Sequence, residues 1–390
     1  MRYLPNNVLA QFFGGKDSEL PRKTVISGSV NGMRTKLAMR IADAVFSCGH
    51  TVFILHRSNK LFNEKYASCG TCVYINNAVS TCEIDPCKGL TDNEIASMFY
   101  DVGRSIADLS FEARELISIG IETMRAEGKE PSFERMGSFP WEGIAEYIFT
   151  SERINDRNKL GLIQRLSPFS QQIPAVKTLF REITVHSEGK FNSRAQKVGI
   201  KELLMKPAVI SVDISSDTNT TFAEMMLAMI KIYKEKGMKF LLILDTVPVL
   251  NEKCIAYQMY KSTDTSTPVL ILSPDLVQAF SGFPEMFNDV IGSGINAVVM
   301  AHTAGNSADV WSSFFGEYYY QREDKNIGES KNNLSIFEKT KQTSVTYTEE
   351  RRRNVPPENI ISLDTGQAII KFGFLTPNGM LFTYCDVKDI

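Results

Sequence analysis

The sequence predicts an α/β fold in which a mostly parallel sheet is covered by helices on both faces. Three observations support this prediction. Residues 24–46 read as a strand, a glycine-bearing turn and a helix. Almost entirely apolar strands then alternate with helical segments, as in sheets that are buried on both faces. Polar residues follow where several of these strands end, at the edge of such sheets where ligands bind.

The turn after the first strand is a candidate phosphate-binding site. Phosphate-binding loops follow the pattern GxxxxGK[ST], in which backbone N–H groups and a helix N-terminus hold the anion. Gly28 and Thr35 match the first glycine and the final hydroxyl, and the helix is predicted from Thr35 onward. Met33 and Arg34 replace the second glycine and the lysine, so an ordinary strand-to-helix turn is the alternative interpretation. The candidate phosphate-binding residues are Gly28, Asn31, Gly32, Arg34 and Thr35.

The composition is that of a globular protein with a sizeable core and no overall charge bias. The chain has 390 residues, 43% of them hydrophobic, and can hold one large or two ordinary domains. Its 43 basic and 45 acidic residues exclude a nucleic-acid surface that extends over the whole chain. No signal peptide and no apolar run of ~20 residues is recognisable, so we expect a cytoplasmic protein without disulfides.

Four cysteines near the third predicted strand form a candidate metal site. After the opening unit, strands are predicted at 51–55 and 72–75. The spacing C-x2-C-x9-C-x4-C resembles that of a four-thiolate Zn²⁺ site. Because Cys72 lies within a predicted strand, packing as small apolar residues is the alternative. The candidate Zn²⁺ ligands are Cys69, Cys72, Cys82 and Cys87.

An all-α segment interrupts the succession of strands. Thr91 and Glu94 form a capping-box pattern at its first helix, and Gly128 ends its second helix. Because strong strand patterns are missing from this segment, we predict a discontinuous main domain with an inserted all-α domain. The main domain comprises 1–90 and 196–390, the inserted domain comprises 91–195, and its further helices are predicted at 141–150, 158–166 and 175–180.

Strand patterns resume after the insertion, and two strands end in polar residues. The most apolar strand, 240–244, is followed by Asp245, and the strand 295–301 is followed by His302. Since the carboxyl ends of parallel strands meet at one edge of a sheet, we expect Gly28, Asp245 and His302 to lie in the same region. The other elements predicted here are strands 208–214 and 268–272 and helices 220–236 and 275–290.

The order of these features resembles the HerA/FtsK-like P-loop superfamily, most closely the type IV secretion coupling proteins and TraG/TraD-like conjugative ATPases. In this family a P-loop and a helical insertion precede a strand of the form vvDls, a Walker B strand and a sensor strand. The resemblance extends over most of the chain and depends on the order and spacing of these motifs. The matching segments are 209–215, 241–245, 294–302, 345–347, 349–353, 355–360 and 363–370.

The resemblance implies a RecA-like P-loop domain that assembles into a ring, usually a hexamer, with ATP and Mg²⁺ held between subunits. DNA or a secreted protein would be the transported substrate, and other conjugation or secretion proteins would be partners. The inserted helices would form the surface that contacts them. Coupling proteins usually carry a transmembrane anchor, and none is recognisable here. Any membrane association would therefore come through partners.

The resemblance also assigns roles to individual residues. In active family members a hydroxyl and an aspartate hold Mg²⁺, and here these residues are Thr35 and Asp245. His302 takes the place of a frequent glutamine and would orient a water molecule, with a structural histidine as the alternative. Asp245 and His302 are therefore the catalytic candidates.

Three departures from the family pattern predict weak or absent hydrolysis. Arg34 replaces the lysine that bridges the phosphates, and Arg and Lys are not equivalent there because the guanidinium is larger and planar. Thr246 replaces the carboxylate that activates water. No arginine occurs at 288–293, where the finger usually lies, and loss of the finger alone costs ~10³–10⁵ in rate.

The sequence leaves three functions open. The first is a coupling-type ATPase or translocase with unusual catalytic residues. The second is a non-hydrolysing scaffold or adaptor subunit that docks partners through its helical domain. The third is an unrelated α/β protein whose Gly28 turn is only structural. The cluster 351–353 is either a DNA-phosphate contact or, because acidic residues precede it, a solvated charged turn.

Overall fold

The predicted fold class is confirmed by the computed structural model. It describes residues 9, 12–13, 20–29, 31–66, 72–75, 83–107, 109–187, 197–214, 221–245, 253–261, 268–292, 294–331, 339–373 and 382–387. Helices flank a mostly parallel sheet within these residues. No helix of this part of the chain is long and apolar enough to cross a membrane.

Nine of the described strands form one sheet. The strands are β1 (Thr24–Ser27), β2 (Thr51–His56), β3 (Cys72–Ile75), β4 (Glu83–Ile84), β5 (Lys197–Val198), β6 (Val209–Asp213), β7 (Phe240–Asp245), β8 (Val269–Ser273), β9 (Asn296–Val299), β10 (Glu317–Lys331), β11 (Lys339–Arg353), β12 (Gln367–Lys371) and β13 (Phe382–Asp386). The order in the sheet is β13-β12-β9-β1-β8-β7-β2-β6-β3. The seven strands from β9 to β3 run parallel, whereas β12 is antiparallel to both β9 and β13.

The helices connect these strands and fill the inserted segment. They are α1 (Asn31–Ser47), α2 (Lys60–Tyr66), α3 (Asp92–Ala107), α4 (Phe111–Ala126), α5 (Phe133–Gly137), α6 (Ile144–Thr150), α7 (Asp156–Leu166), a 3-10 helix (Ser167–Gln172), α8 (Ile173–His186), α9 (Ile200–Leu204), α10 (Thr221–Glu235), α11 (Ile255–Lys261), α12 (Leu276–Ala279), α13 (Pro284–Val290), α14 (Gly305–Phe315) and α15 (Pro357–Ile361). Helices α3 to α8 follow one another without an intervening strand in the described residues, as the sequence predicts.

The apolar strands are buried on both faces of the sheet. Successive side chains of a strand point to opposite faces, so Leu241 and Ile243 of β7 pack on one side, and Leu242 and Leu244 pack on the other. Helices α1 and α2 cover the first side, and α10 with the inserted helices covers the second. This double cover explains why the strands read as continuous apolar runs rather than as alternating patterns.

The inserted helices pack as one cluster around aromatic side chains. Phe180 stacks on Trp141, with ring centroids 5.2 Å apart, and meets Phe99 edge-on at 4.7 Å. Lys231 of α10 forms an ion pair with Asp101 of α3 at 2.9 Å, which joins the cluster to the main sheet. The apolar core is continuous between the two parts. The assignment of 1–90 with 196–390 and of 91–195 to separate domains stays a prediction.

Local signals for helix ends are confirmed at the start of the insertion. The N–H of Thr91 donates to Glu94 Oε2 at 2.8 Å, and the N–H of Glu94 donates to Thr91 Oγ1 at 3.4 Å. These are the two reciprocal bonds of a capping box. Gly128, just beyond α4, has a φ of +73°, which glycine adopts without strain.

One predicted helix is wrong in its extent. The segment predicted as a single helix, 275–290, forms two short helices, α12 and α13. Asp275 caps α12 by accepting the N–H of Gln278 at 3.1 Å, and Pro284 begins α13. A proline lacks the N–H that a continuous helix needs at this position, whereas it is well suited to the first turn of a new helix.

A long antiparallel hairpin extends from the chain between α14 and α15. Strands β10 and β11 pair along fifteen residues each, and in the described part of the chain neither pairs with a third strand. At about 3.4 Å per residue the hairpin is ~50 Å long. The cluster 351–353 lies in β11, so its interpretation as a charged turn is wrong. Here Arg351 pairs with Glu317, and Arg352 lies over the ring of Tyr320 at 4.2 Å.

Deletion of this hairpin is expected to leave the rest of the protein folded. Glu317 and Arg353 are directly opposite, so a two-residue Asn-Gly turn can join them. The described side chains between them are largely exposed, and the core therefore loses little. We expect the melting temperature to change by less than about 3 °C, measured by calorimetry. Loss of the cooperative transition would show that the hairpin is part of the folding unit.

Candidate functional site

The candidate site lies at the carboxyl ends of the central strands, as predicted. Strand β1 lies between β9 and β8, and β7 and β2 follow on the β8 side. The predicted phosphate- and Mg²⁺-binding residues lie after β1 and at the end of β7. His302 lies on the other side of β1, after β9, and belongs to a separate set of contacts.

The backbone around Gly28 is closely packed against neighbouring strands. Its N–H donates to the carbonyl of Ser273 at 3.2 Å, and the next N–H, of Ser29, donates to Ala301 at 3.0 Å. These two amide protons are therefore used by carbonyls of the protein. Gly28 has a φ of +156°, and a Cβ added there would lie 2.5 Å from Cβ of Met300. Only glycine satisfies both restrictions.

The helix after this turn begins earlier than the sequence pattern predicts. Helix α1 starts at Asn31, not at Thr35, so the connection from β1 covers only residues 28–30. Gly32 and Arg34 lie inside the first helical turns. Phosphate loops hold the anion in a longer curved segment before the helix. The side chain of Asn31 lies outside the described residues, so its predicted phosphate contact stays a prediction.

Arg34 points into the protein. Its side chain is 1% exposed, and Nη1 donates to the carbonyl oxygen of Gly28 beneath the turn. Burial lowers the pKa of Arg34, and the negative charge of Asp245 acts in the opposite direction. An arginine side chain nevertheless keeps its charge in proteins. The guanidinium therefore stabilises the turn through its bond to the Gly28 carbonyl, and its positive charge opposes the buried negative charge of Asp245.

Asn59, which the sequence analysis does not single out, joins Thr35 to Asp245. Its Nδ2 donates to Oγ1 of Thr35 at 2.8 Å and to Oδ2 of Asp245 at 2.5 Å. Its Oδ1 accepts the N–H groups of Leu61 at 3.1 Å and Phe62 at 3.5 Å. An asparagine before a helix predicts such a cap. The hydrogen bond from Asn59 to Asp245 joins residues 186 positions apart, so no local sequence pattern predicts it.

The Thr35–Asn59–Asp245 group is almost completely buried. The exposed fractions are 1% for Thr35, 6% for Asn59 and 3% for Asp245. Burial raises the pKa of Asp245, while the hydrogen bond from Asn59 and the charge of Arg34 lower it. One oxygen of the carboxylate, Oδ2, thus accepts a hydrogen bond from Asn59, and the charge of Arg34 acts on the group. The predicted catalytic role of Asp245 stays a prediction.

His302 is held by partners on both ring nitrogens. Nδ1 lies 2.8 Å from the carbonyl oxygen of Met300, and Nε2 lies 3.2 Å from Nε1 of Trp311 and 3.0 Å from Oγ of Ser27. Because the indole N–H can only donate, Nε2 accepts and Nδ1 carries the proton. Burial lowers the pKa of His302, which favours the neutral ring. This geometry favours the structural alternative for His302, and its predicted catalytic role stays a prediction.

A second buried network lies beside Asn59. His56, the last residue of β2, has Nδ1 3.4 Å from the N–H of Asn59 and Nε2 3.0 Å from Oγ of Ser211. The N–H of Ser58 donates to Oδ1 of Asp213 at 3.0 Å. Burial lowers the pKa of His56 to about 4, although Asp213 acts in the opposite direction. Neither His56 nor Asp213 is among the candidate residues that the sequence predicts.

The cysteine site falls mostly outside the described residues. Cys69, Cys82 and the side chain of Cys72 lie outside the described residues. Cys87 is buried in the hydrophobic core, and the described part of the chain contains no cluster of His, Cys, Asp and Glu that could hold a metal ion. Zn²⁺ binding by the four cysteines stays a prediction.

Comparison with solved structures confirms the predicted resemblance as one of fold. The chain is similar to the unbound bacterial conjugative coupling protein TrwBdeltaN70, with a TM-score of 0.56 and 12% identity over 94% of this chain and 84% of that chain. For the plasmid coupling protein TrwB in complex with ADP and Mg²⁺ the TM-score is 0.53, with 12% identity over 94% and 85% of the two chains. For VirB4 of Thermoanaerobacter pseudethanolicus the TM-score is 0.51, with 11% identity over 95% of this chain and 90% of that chain.

These similarities define the class of protein by its fold. No protein-family model matches the sequence, and no curated protein matches it. At 11–12% identity the chain shares the α/β architecture of a conjugative coupling protein with an inserted helical segment. The likeness extends over 94% of this chain and is one of fold.

The residues at this edge do not fit a Mg²⁺ ion between Thr35 and Asp245. Mg²⁺ requires oxygen ligands in an octahedron at about 2.0–2.1 Å. The hydroxyl and the carboxylate are instead bridged by the amide nitrogen of Asn59, whose protons point at both oxygens. A cation midway between these two oxygen atoms would have to displace the amide nitrogen, because Nδ2 of Asn59 already lies within hydrogen-bond distance of both.

Proposed function

We propose that this protein is a non-hydrolysing subunit of a conjugation- or type IV secretion-like machine. In this role the ATPase-type fold serves as a scaffold or adaptor. The orientation of Arg34 is the observation that carries the proposal. Its guanidinium is buried beneath the turn and bonded to the carbonyl of Gly28, whereas ATP cleavage needs a cation directed at the phosphates.

Other features of the site support the same conclusion. The connection from β1 to α1 is short, and the N–H groups of Gly28 and Ser29 bond to protein carbonyls. The hydroxyl of Thr35 and the carboxylate of Asp245 are bonded to Asn59. The two N–H groups would have to leave their carbonyl partners before they could bind a phosphate, and the Asn59 amide would have to move before a metal ion could lie between Thr35 and Asp245. Such rearrangement adds to the barrier that the departures at Arg34 and Thr246 already predict.

The machine context comes from the similar structures. TrwB is described as a plasmid coupling protein, and the chain resembles it along almost its entire length. By this analogy DNA or a secreted protein is the proposed cargo, other secretion or conjugation proteins are the proposed partners, and a hexameric ring is the proposed assembly. ATP is the proposed nucleotide if the protein retains binding without cleavage.

The inserted helices offer a surface for such partners. Four large apolar side chains are exposed on this segment, and we propose them as contact points for partners. They are Phe111, Phe149, Leu160 and Val185. Their placement on α4, α6, α7 and α8 supports the scaffold interpretation, in which docking occurs through the helical segment.

A turnover measurement on the purified full chain tests the proposal. We expect ATP hydrolysis below about 10⁻² s⁻¹, about a thousandfold below a typical enzyme, in the presence of Mg²⁺. Arg34→Ala serves as the matched variant and should not lower this background, because the guanidinium does not face the phosphates. Turnover near 1–10 s⁻¹ that is abolished by Arg34→Ala would refute the proposal. Light scattering with and without ATP measures the molar mass in solution and so tests the proposed hexameric ring.

A further inference from the structure

The amide group of Asn59 lies between a hydroxyl and a carboxylate. Thr35 belongs to α1, Asp245 ends β7, and Asn59 follows β2. Three separate parts of the chain therefore converge on one NH₂ group. Its two protons match its two acceptors, at 2.8 Å and 2.5 Å. The first is an ordinary distance for an N–H donor, and the second is shorter than the usual range of about 2.7–3.2 Å.

The orientation of this amide is determined by its surroundings. The carbonyl oxygen of Asn59 accepts the N–H groups of Leu61 and Phe62 at the start of α2. Backbone N–H groups can only donate, so the oxygen must face the helix. The nitrogen then faces Asp245, whose carboxylate accepts. A reversed amide would place oxygen against carboxylate and nitrogen against the helix N-terminus, and would lose the bonds to Asp245, Leu61 and Phe62.

The charge at this position is balanced without a metal ion. Asp245 contributes one negative charge in a buried environment, and an unpaired buried carboxylate is strongly unfavourable. Arg34 supplies a full positive charge that acts on Asp245, and Asn59 supplies a direct N–H donor. A divalent cation added to this group would have to displace the amide and would face the guanidinium charge.

We propose that the Asn59 amide permanently replaces a divalent cation as the link between Thr35 and Asp245. The contact between α1, α2 and the end of β7 is thereby independent of metal. In a metal-bridged site this link forms and breaks with the ligand, whereas here it is part of the fold. The inference depends on the contacts of Asn59 and does not depend on whether the protein turns over ATP.

Thermal unfolding of the full chain with Mg²⁺ or EDTA tests the proposal, without nucleotide and at constant ionic strength. We expect the wild-type melting temperature to differ by less than about 1 °C between EDTA and 10 mM Mg²⁺, because no site for the ion is formed. Asn59→Asp keeps a helix-capping oxygen but replaces the amide by a carboxylate next to Asp245. It should melt several degrees lower in EDTA and regain part of this loss in Mg²⁺.

Asn59→Ser is the matched control. Serine also caps helices, but it lacks both amide protons and adds no charge. We expect a lower melting temperature than wild type and no response to Mg²⁺. A saturable stabilisation of the wild-type protein by Mg²⁺ would overturn the proposal. So would an Asn59→Ser variant as stable as wild type, since the bridge would then contribute nothing. ATP hydrolysis by the wild type would refute the proposed function and leave the Mg²⁺ result standing.

Discussion

Replacement of Gly28 by alanine is expected to lower the free energy of unfolding by about 3 kcal/mol. The added Cβ would meet Cβ of Met300 at 2.5 Å and its Cα at 3.1 Å, and neither atom is the end of a flexible side chain. The backbone φ of +156° is also unfavourable for any other residue. Relief requires β1 and the segment after β9 to move apart, which would break the bond from Met300 N–H to Ser27. Urea unfolding measures the change.

Gly32→Ala is the matched control for this prediction. Gly32 lies in the first turn of α1, and its nearest neighbour for an added Cβ is Cδ1 of Leu61 at 4.0 Å. Alanine is preferred to glycine within helices, so we expect no loss and a gain of up to about 0.5 kcal/mol. If both variants lost the same stability, the close contact with Met300 would not be the cause. If Gly28→Ala lost none, the packing described for the turn would be wrong.

Acidification is expected to destabilise the protein through His56. Its pKa is lowered by burial from 6.5 to about 4 in the folded state. Between pH 6.5 and about pH 4 the unfolded chain binds more protons at His56 than the folded chain does. The contribution of His56 to the free energy of unfolding is therefore fully present above pH 6.5 and is lost as the pH falls towards 4. The loss between about pH 7 and about pH 4.5 is about 2.5 kcal/mol for this one group. Urea unfolding at a series of pH values measures it.

A His56→Gln variant isolates this contribution. Glutamine can donate to Ser211 but does not titrate, while His302, whose pKa burial also lowers, is present in both proteins. We expect the variant to be less stable than wild type at neutral pH. On acidification its free energy of unfolding should fall by about 2.5 kcal/mol less than that of wild type. Parallel pH profiles for the two proteins would show that the pKa of His56 is not lowered in the folded state.

The strands and their order along the chain were predictable because burial on both faces leaves a local pattern. An unbroken apolar run such as 240–244 reads as a buried strand whatever its neighbours are. The polar residue at its end, Asp245, is likewise local information. Helix ends leave weaker local patterns than buried strands do. The start of α1 at Asn31 was missed because the P-loop pattern suggested a longer loop before Thr35.

The hairpin of β10 and β11 was not predicted because the described residues of its strands do not pack against the core and therefore have no alternating apolar pattern. Both strands are exposed on both sides where the structure describes them, so charged and aromatic residues follow without alternation. Sequence methods recognise strands by a buried face. The residues 351–353 consequently read as a charged turn, although they pair with residues 317–319 across the hairpin.

By itself the sequence determined that the chain builds a mostly parallel α/β sheet, with a glycine turn after β1, an arginine in place of lysine and Asp245 at a strand end. These features depend on the order of apolar and polar residues over short distances. Tertiary structure alone decided that Arg34 points inward and that Asn59 joins Thr35 to Asp245. The reason is that β2 lies beside β7 in the sheet, which brings a loop to an aspartate 186 positions away.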